Sequence, residues 1–549
     1  MPILPSKIIS YMKIKVGVIN FFSKNKRIIL PLLVALFYIL FYFLVDFSTQ
    51  SLVAHDEGLY ARRARLIEYS DNWFSPPFPS PHHKTLGSYW FIALAIRLFG
   101  NSELALRLPS IIASFFCLIT SYLIALKITN KKSALIAVFS LSSMPLWIQY
   151  SRYASPDILF VLSILLVILF FLKSLDSQQF YRQYFYILVS GFFIATSFFI
   201  RSYMAFVPLI GLFPFIFYNL NKKRYIFKIL FFIGIFIGSI PTLINLYFSY
   251  EKFGIIGITT LFDFARKQAI GDFGFNNLIL IPLNFLYLTF PIGILFLILF
   301  TFTKPKNNIS YPLLIYYYPL ISLLILLCMS TSYPHYFLFL LPSLSFLFSV
   351  ILSSNSSRFV ISRITIKYLL LILITLISSV LIFFVINYNN FILENSHGNT
   401  FLVYIISSLL LISYITSIRF IFDIRFLKFD LLNFFYNIVA PQYISLSLLF
   451  NFGVLGNPNS NIKLFLRDEV VSSIISSNTI YLFSVDSKIQ TLLSYYLPSS
   501  QVVRKAVDLK NYKYLITSDI NSLNTLKIKS LFKSIKKSDN QFLLVNITK

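Results

Sequence analysis

The chain has 549 residues, 57% of them hydrophobic and only 12% charged, with a mean hydropathy of +0.76. So little polar surface excludes a soluble domain of this size, and the absence of short alternating segments excludes a β-barrel. The formal net charge of +27 sits mostly in short loops beside apolar runs, where it sets membrane topology rather than binding nucleic acid.

Apolar runs of about 20 residues match the thickness of a bilayer core, and backbone in lipid must bond within its own segment, so each run is read as a helix. Thirteen are predicted, at about 28–46, 104–127, 132–150, 156–174, 184–200, 202–219, 226–249, 278–302, 311–330, 335–353, 367–387, 400–422 and 431–452. The first run is longer than a signal-peptide core and reads as a retained anchor. Only Arg201 separates the fifth from the sixth, and Pro441 interrupts the thirteenth. Cys117 and Cys328 both lie inside apolar runs, which leaves no disulfide framework and no cysteine metal site.

Six Lys and Arg residues, from Lys7 to Arg27, precede the first span and place the N-terminus in the cytoplasm. Alternate loops are basic as well. They carry Lys127, Lys131 and Lys132; Lys173 and Arg182; Lys222, Lys223 and Arg224; Lys304 and Lys306; Arg358, Arg363 and Lys367; Arg425 and Lys428. The same parity puts about 47–103, 151–155, residue 201, 250–277, 331–334, 388–399 and the tail from 456 on the outer side.

The first outer loop is long. Residues 55–70 pattern as an interfacial helix, Pro76, Pro77, Pro79 and Pro81 force an extended stretch, and 86–99 is apolar but short for a span. The tail, 456–549, reads as a small α/β domain, with strands at Thr479–Val485, Tyr512–Thr517 and Phe542–Ile547 and a helix at Lys488–Tyr496. The expected fold class is thus an all-α polytopic membrane bundle, residues 1–455, with a structured first outer loop and this second domain outside.

The chain has only 20 acidic residues, and charge near a bilayer is costly unless used or paired. Asp56 and Glu57 open the interfacial helix; Asp157, in SRYASPD, starts the fourth span at the same expected face. Each has an ordinary reading as an acid at a helix N-terminus. Together, two carboxylates at one surface can orient an acceptor or take its proton. Cations accompany them: Lys84 after the proline stretch, Arg152 just before Asp157, and Arg201. Each suits a phosphate, with snorkelling to the interface as the plain alternative for the arginines. His83, beside His82, is a candidate ligand for a divalent metal ion. Tyr60 and Tyr89, with Trp73 and Trp90, and the later His335 and Tyr336 are candidate sugar-stacking residues or members of an interfacial aromatic belt. No Walker A, GxGxxG after a strand, GxSxG or HExxH sequence is present, which removes ATP-driven transport, a nucleotide-sugar fold and the common hydrolases.

HDEGLYARRARLIEYSDNW, then HHKTLGSYWFIALAIRLFGNSELALRLPS, resembles the first outer loop of the GT-C membrane glycosyltransferases. The branch it resembles is that of the bacterial aminoarabinose transferases of lipid A and the protein O-mannosyltransferases. Leu98-Phe99-Gly100, Glu103, Arg107 and Pro109 match a further element, Asp157 stands in the place of the family's second acid, and TSYPHY at 331–336 resembles a late outer-face motif. The pattern departs at HHKTLG, where the family has Lys-Pro-Pro. His83 there holds the place of a Glu that helps bind metal in the aminoarabinose branch.

The resemblance implies a polyprenyl-phosphate-linked sugar as donor, a lipid, glycan or protein acceptor at the outer face of a bacterial inner membrane, and inversion at the sugar's C1. It makes Asp56 the acceptor-side base or orienting group, Asp157 and Glu57 its supports, and Lys84, Arg201 and Arg152 the phosphate-holding cations. The competing readings are a transporter or flippase of lipid-linked saccharide, against which the one-sided cluster and absence of a repeat count, and an O-antigen-type polymerase or ligase, which would carry its large outer loop late in the chain.

Overall fold

The computed structural model describes residues 50–353 except 55, 79, 82, 270–281, 283, 303–309 and 330–332. Beyond these it describes 401, 403–412, 415, 431–451, 453–456, 459–503, 513–518, 532–537 and 543–547. The first and eleventh expected spans, and half of the twelfth, lie outside these residues.

The protein is mostly helical. Among the described residues, five helices are long and apolar enough to cross a membrane: Glu103–Ile128, Asp157–Asp176, Phe180–Asn221 with an internal break, Tyr225–Phe253 and Pro334–Leu352. Local chemistry sets their ends. Ser102 caps Glu103–Ile128 by accepting from Ala105 N at 3.2 Å, with Glu103 in the first turn and Lys127 in the last, each sign suited to the helix dipole. Asn130 likewise caps Lys131–Ser143. That helix stops at Met144, and Pro145 begins the separate helix Pro145–Tyr150, so the expected third span is two pieces.

Helices Phe180–Arg201 and Tyr225–Phe253 meet backbone to backbone. A Cβ on Gly234 would lie 2.0 Å from Leu188 O, and one on Gly238 2.4 Å from Phe192 O. Such small-residue contacts bring helices close in an apolar medium, where burial alone gives little drive. The other side of Tyr225–Phe253 exposes Ile229, Phe232, Phe236, Ile240 and Leu243, as a lipid-facing surface does.

Two helices follow the described start of the chain, Asp56–Ser70 and Gly87–Phe99. The C-terminal region carries a five-stranded mixed sheet of order β2-β1-β3-β5-β4, from Ile480–Leu482 (β1), Gln501–Val502 (β2), Tyr514–Thr517 (β3), Phe532–Lys537 (β4) and Leu543–Ile547 (β5). β1 runs parallel to β2 and β3, while β5 is antiparallel to β3 and β4. The two regions share one apolar core. Leu52, Tyr60, Ala61, Ile67, Tyr89 and Ile92 pack with Ile480, Leu482, Leu492, Leu493 and Ile516.

Polar contacts reinforce this joint. Arg65 donates to the carbonyls of Tyr495 and Ser494, Tyr495 OH donates to Asn101 Oδ1 at 2.8 Å, and Lys463 pairs with Glu103. Burial pushes the Tyr495 and Tyr496 hydroxyls well above the ordinary phenol range. The two segments read from the sequence as loop and separate domain therefore pack as one body, which puts them on one side of any membrane.

Candidate active site

A cavity of about 720 Å³ opens where the first loop, the start of helix Asp157–Asp176, the turn at 200–204 and the C-terminal region meet. Asp157 is delivered by the turn SRYASP. Its carboxylate sits at the helix N-terminus, 2.8 Å from Arg201 Nη2, with both side chains largely buried. Arg201 is the last residue of Phe180–Arg201. Its Nη1 donates to Tyr60 OH at 3.4 Å, and Lys84 Nζ donates to the same hydroxyl at 3.0 Å while lying 4.7 Å from the centre of the Tyr60 ring. Tyr60 thus gathers the two cations on one oxygen. Tyr60, Lys84, Asp157, Arg201, His83, His335 and Tyr336, all candidates from the sequence, line the cavity.

Other expectations take different places. Glu57 is 0% exposed and does not line the cavity. Its carboxylate accepts from Arg107 Nε and Nη2 at 2.8 Å each, from Val53 N at 2.9 Å and from Ala154 N at 2.9 Å. A carboxylate with four donors is a buried brace, tying the turn before Asp56 to the segment that leads into Asp157. Arg152 is also turned away: its Nη1 donates to Ser447 O and Asn451 Oδ1, and its guanidinium lies 5.4 Å from the centre of the Phe450 ring. It holds a helix, not the cavity. Tyr89 is 0% exposed behind Tyr60, ring centres 5.1 Å apart, so it supports the lining without forming it. The Asp56 backbone opens helix Asp56–Ser70; its side chain lies outside the described residues.

His83 packs 4.4 Å from the Phe264 ring. Among the described residues, no three His, Cys, Asp or Glu come together as metal ligands. His55 and His82 lie outside them. The described residues around His83 therefore do not make a ligand set.

The cavity also recruits residues that sequence patterning passes over. Tyr150 OH lies 3.3 Å from His335 Nδ1, and Tyr333 stacks parallel to His335 with ring centres 5.7 Å apart. With Tyr336 edge-on to His335, these rings form an aromatic wall suited to the apolar face of a sugar. Asn459, Asp486 and Lys488 contribute from the C-terminal region. Tyr150 flanks the SRYASPD motif and Tyr333 lies inside TSYPHY, both visible in the sequence. The last three carry no local signal, because only the tertiary packing brings them here.

Residues 83–248 match the family model described as dolichyl-phosphate-mannose-protein mannosyltransferase. The chain is 31% identical over 160 residues, 28% of each chain, to an undecaprenyl phosphate-alpha-4-amino-4-deoxy-L-arabinose arabinosyl transferase of Pseudomonas fluorescens. It is 29% identical over 147 residues, 26% of this chain and 28% of the other, to an uncharacterized protein of Aquifex aeolicus. These matches span little more than a quarter of the relatives' length. In three dimensions the chain is similar to ArnT from Cupriavidus metallidurans bound to undecaprenyl phosphate, with TM-score 0.72 at 14% identity over 95% of this chain and 98% of that one. The apo form of that protein gives a TM-score of 0.67 over the same shares, at 15% identity. This chain is a multi-pass membrane protein that resembles the GT-C membrane glycosyltransferases of the ArnT type, and it has their fold.

Proposed function

We propose that the chain is an inverting glycosyltransferase that moves a sugar from a polyprenyl-phosphate carrier to an acceptor at the outer face of a bacterial inner membrane. The N-terminus is then cytoplasmic, as the alternation of basic loops requires, and the C-terminal α/β domain periplasmic. The observation that carries the reading is the convergence of Lys84, Arg201, Asp157 and an aromatic wall in one cavity of about 720 Å³. A carboxylate, phosphate-binding cations and stacking rings are the parts that phosphate-linked sugar transfer needs. The undecaprenyl phosphate bound to the structurally similar ArnT supports the same donor class here.

In the proposed step an acceptor oxygen attacks C1 of the sugar. A new C1–O bond forms on one face as the C1–O bond to the lipid phosphate breaks on the other. The electron pair leaves with the phosphate, which Lys84 and Arg201 hold. A lipid phosphate leaves readily as an anion, so no strong acid is needed there. For a hydroxyl acceptor, Asp56 takes the proton; for an already ionised phosphate acceptor, Asp56 orients it. Asp157 fixes the Arg201 guanidinium through their 2.8 Å pair. Lipid A-like lipids, glycans and protein side chains are the acceptor classes for this reading. Asn459 and Lys488 supply polar contacts on the side of the cavity built by the C-terminal region.

Transfer of label from a panel of polyprenyl-phosphate-linked sugars tests the assignment. Lys84→Ala and Arg201→Ala are expected to lower the rate by about 100-fold each, the scale of losing an electrostatic contact to developing charge. Unchanged rates in both would remove the phosphate-holding role.

A further inference from the structure

The cavity holds a second kind of polar group that no charge pattern reveals. Ser88 and Ser202 both line it, are 1% and 7% exposed, and their hydroxyls have no hydrogen-bond partner among the described residues. A buried hydroxyl without a partner forfeits the hydrogen bond it would make in water, and native structures leave few such groups without a reason. Two in one cavity, beside Lys84 and Arg201, call for a ligand that accepts hydrogen bonds.

Ser202 adds strain to the cost. Its backbone has φ 58° and ψ −141°, a region open to glycine but costly for residues with a Cβ. It stands immediately after Arg201, where helix Phe180–Arg201 gives way to the short turn Ser202–Ala205. A glycine would relax this turn, yet a serine occupies it. Ser88 is brought to the same place by a close approach. A Cβ on Gly87 would lie 2.6 Å from Phe199 O, and Thr85 Oγ1 donates to Phe198 O at 3.1 Å. The segment carrying Ser88 therefore rests on the segment carrying Arg201 and Ser202.

From these observations we infer that the Ser88 and Ser202 hydroxyls donate to the phosphate of the lipid carrier, completing with Lys84 and Arg201 a four-residue cradle. The inference rests on the proposed transferase reading and deepens it. Neutral donors suit this place for an electrostatic reason. Arg201 is already paired with Asp157, whose carboxylate would repel a second anion nearby. Hydroxyls bind phosphate oxygen without adding charge to that pair, and their bonds strengthen as the C1–O bond breaks and charge gathers on the phosphate.

The test measures binding of undecaprenyl phosphate to the purified full-length protein in detergent, together with the thermal unfolding midpoint. Four variants are compared with the natural chain: Ser88→Ala, Ser202→Ala, Ser202→Gly and Lys84→Ala. Each serine variant is expected to weaken binding by about tenfold, the worth of one hydrogen bond to a charged group. Ser202→Gly is expected to raise the unfolding midpoint while doing so, because it removes the Cβ from a strained position. A serine with only a structural role would not show gain of stability with loss of ligand. Natural affinity in all serine variants, with Lys84→Ala weakened, would overturn the serine assignment alone. No binding of undecaprenyl phosphate to the natural protein would overturn the transferase reading and the cradle together.

Discussion

Asp56 and Glu57 are neighbours in sequence and of like charge, and the fold gives Glu57 a buried partner. Glu57 is enclosed with Arg107, which lies 50 positions away, and each needs the other. Removing one partner of a buried pair strands the remaining charge and costs about 3–5 kcal/mol. Arg107→Ala is therefore expected to lower stability by that amount, seen as a fall in the thermal midpoint or in accumulation in the membrane. Glu57→Gln keeps an acceptor for only one of the two backbone donors and leaves the Arg107 charge without its counterion, so it is expected to lower the thermal midpoint as Arg107→Ala does. A thermal midpoint unchanged by both substitutions would contradict the brace account. The sequence shows that an acidic pair opens a helix. It does not show that Glu57 is enclosed, because the deciding partner, Arg107, lies on another helix. The same limit explains Arg152, whose position next to Asp157 in sequence suggested a shared site while its partners Ser447 and Asn451 come from almost 300 residues on.

At the level of elements, helices were legible because apolar runs of bilayer length have few other uses. The expected runs at 104–127, 156–174 and 226–249 correspond to Glu103–Ile128, Asp157–Asp176 and Tyr225–Phe253. Their interruptions were less legible. Pro145 splits one span in a way that proline chemistry explains, whereas the turn at Ser202–Ala205 has no glycine or proline and is marked in the sequence by Arg201 alone. Contacts between helices leave a fainter trace still. The backbone approach at Gly234 and Gly238 depends on the absence of a side chain there. Gly234→Leu is expected to force the two helices apart and destabilise the protein by about 1–3 kcal/mol, as overpacking does. Substituting Leu at the exposed, lipid-facing Phe236 is expected to have little effect. Equal unfolding midpoints for the two variants would contradict this packing account.

For the whole molecule, the decisive feature is the core shared by residues near 52–96 and 480–516. The tail's strands were visible as short β-rich runs, but nothing local in the sequence pairs them with the first loop. That pairing comes from long-range burial, with Arg65 and Lys463 as its polar fasteners. Truncation after residue 455 is expected to expose the first loop, so limited proteolysis should cut within 56–99 faster than in the full chain; equal protection would show that the loop folds alone. The joint also explains how Asn459 and Lys488 reach the cavity that Lys84 and Asp157 line. The central claim, that this cavity transfers sugar from a lipid phosphate, is tested most directly by sugar release from polyprenyl-phosphate-linked donors. Membranes holding the natural chain are compared with membranes holding Asp56→Asn at equal abundance. The account predicts donor consumption with a labelled acceptor for the natural chain, and a rate at least ~100-fold lower for Asp56→Asn. Equal rates in the two would contradict the role of Asp56, and no consumption of any donor would contradict the transferase itself.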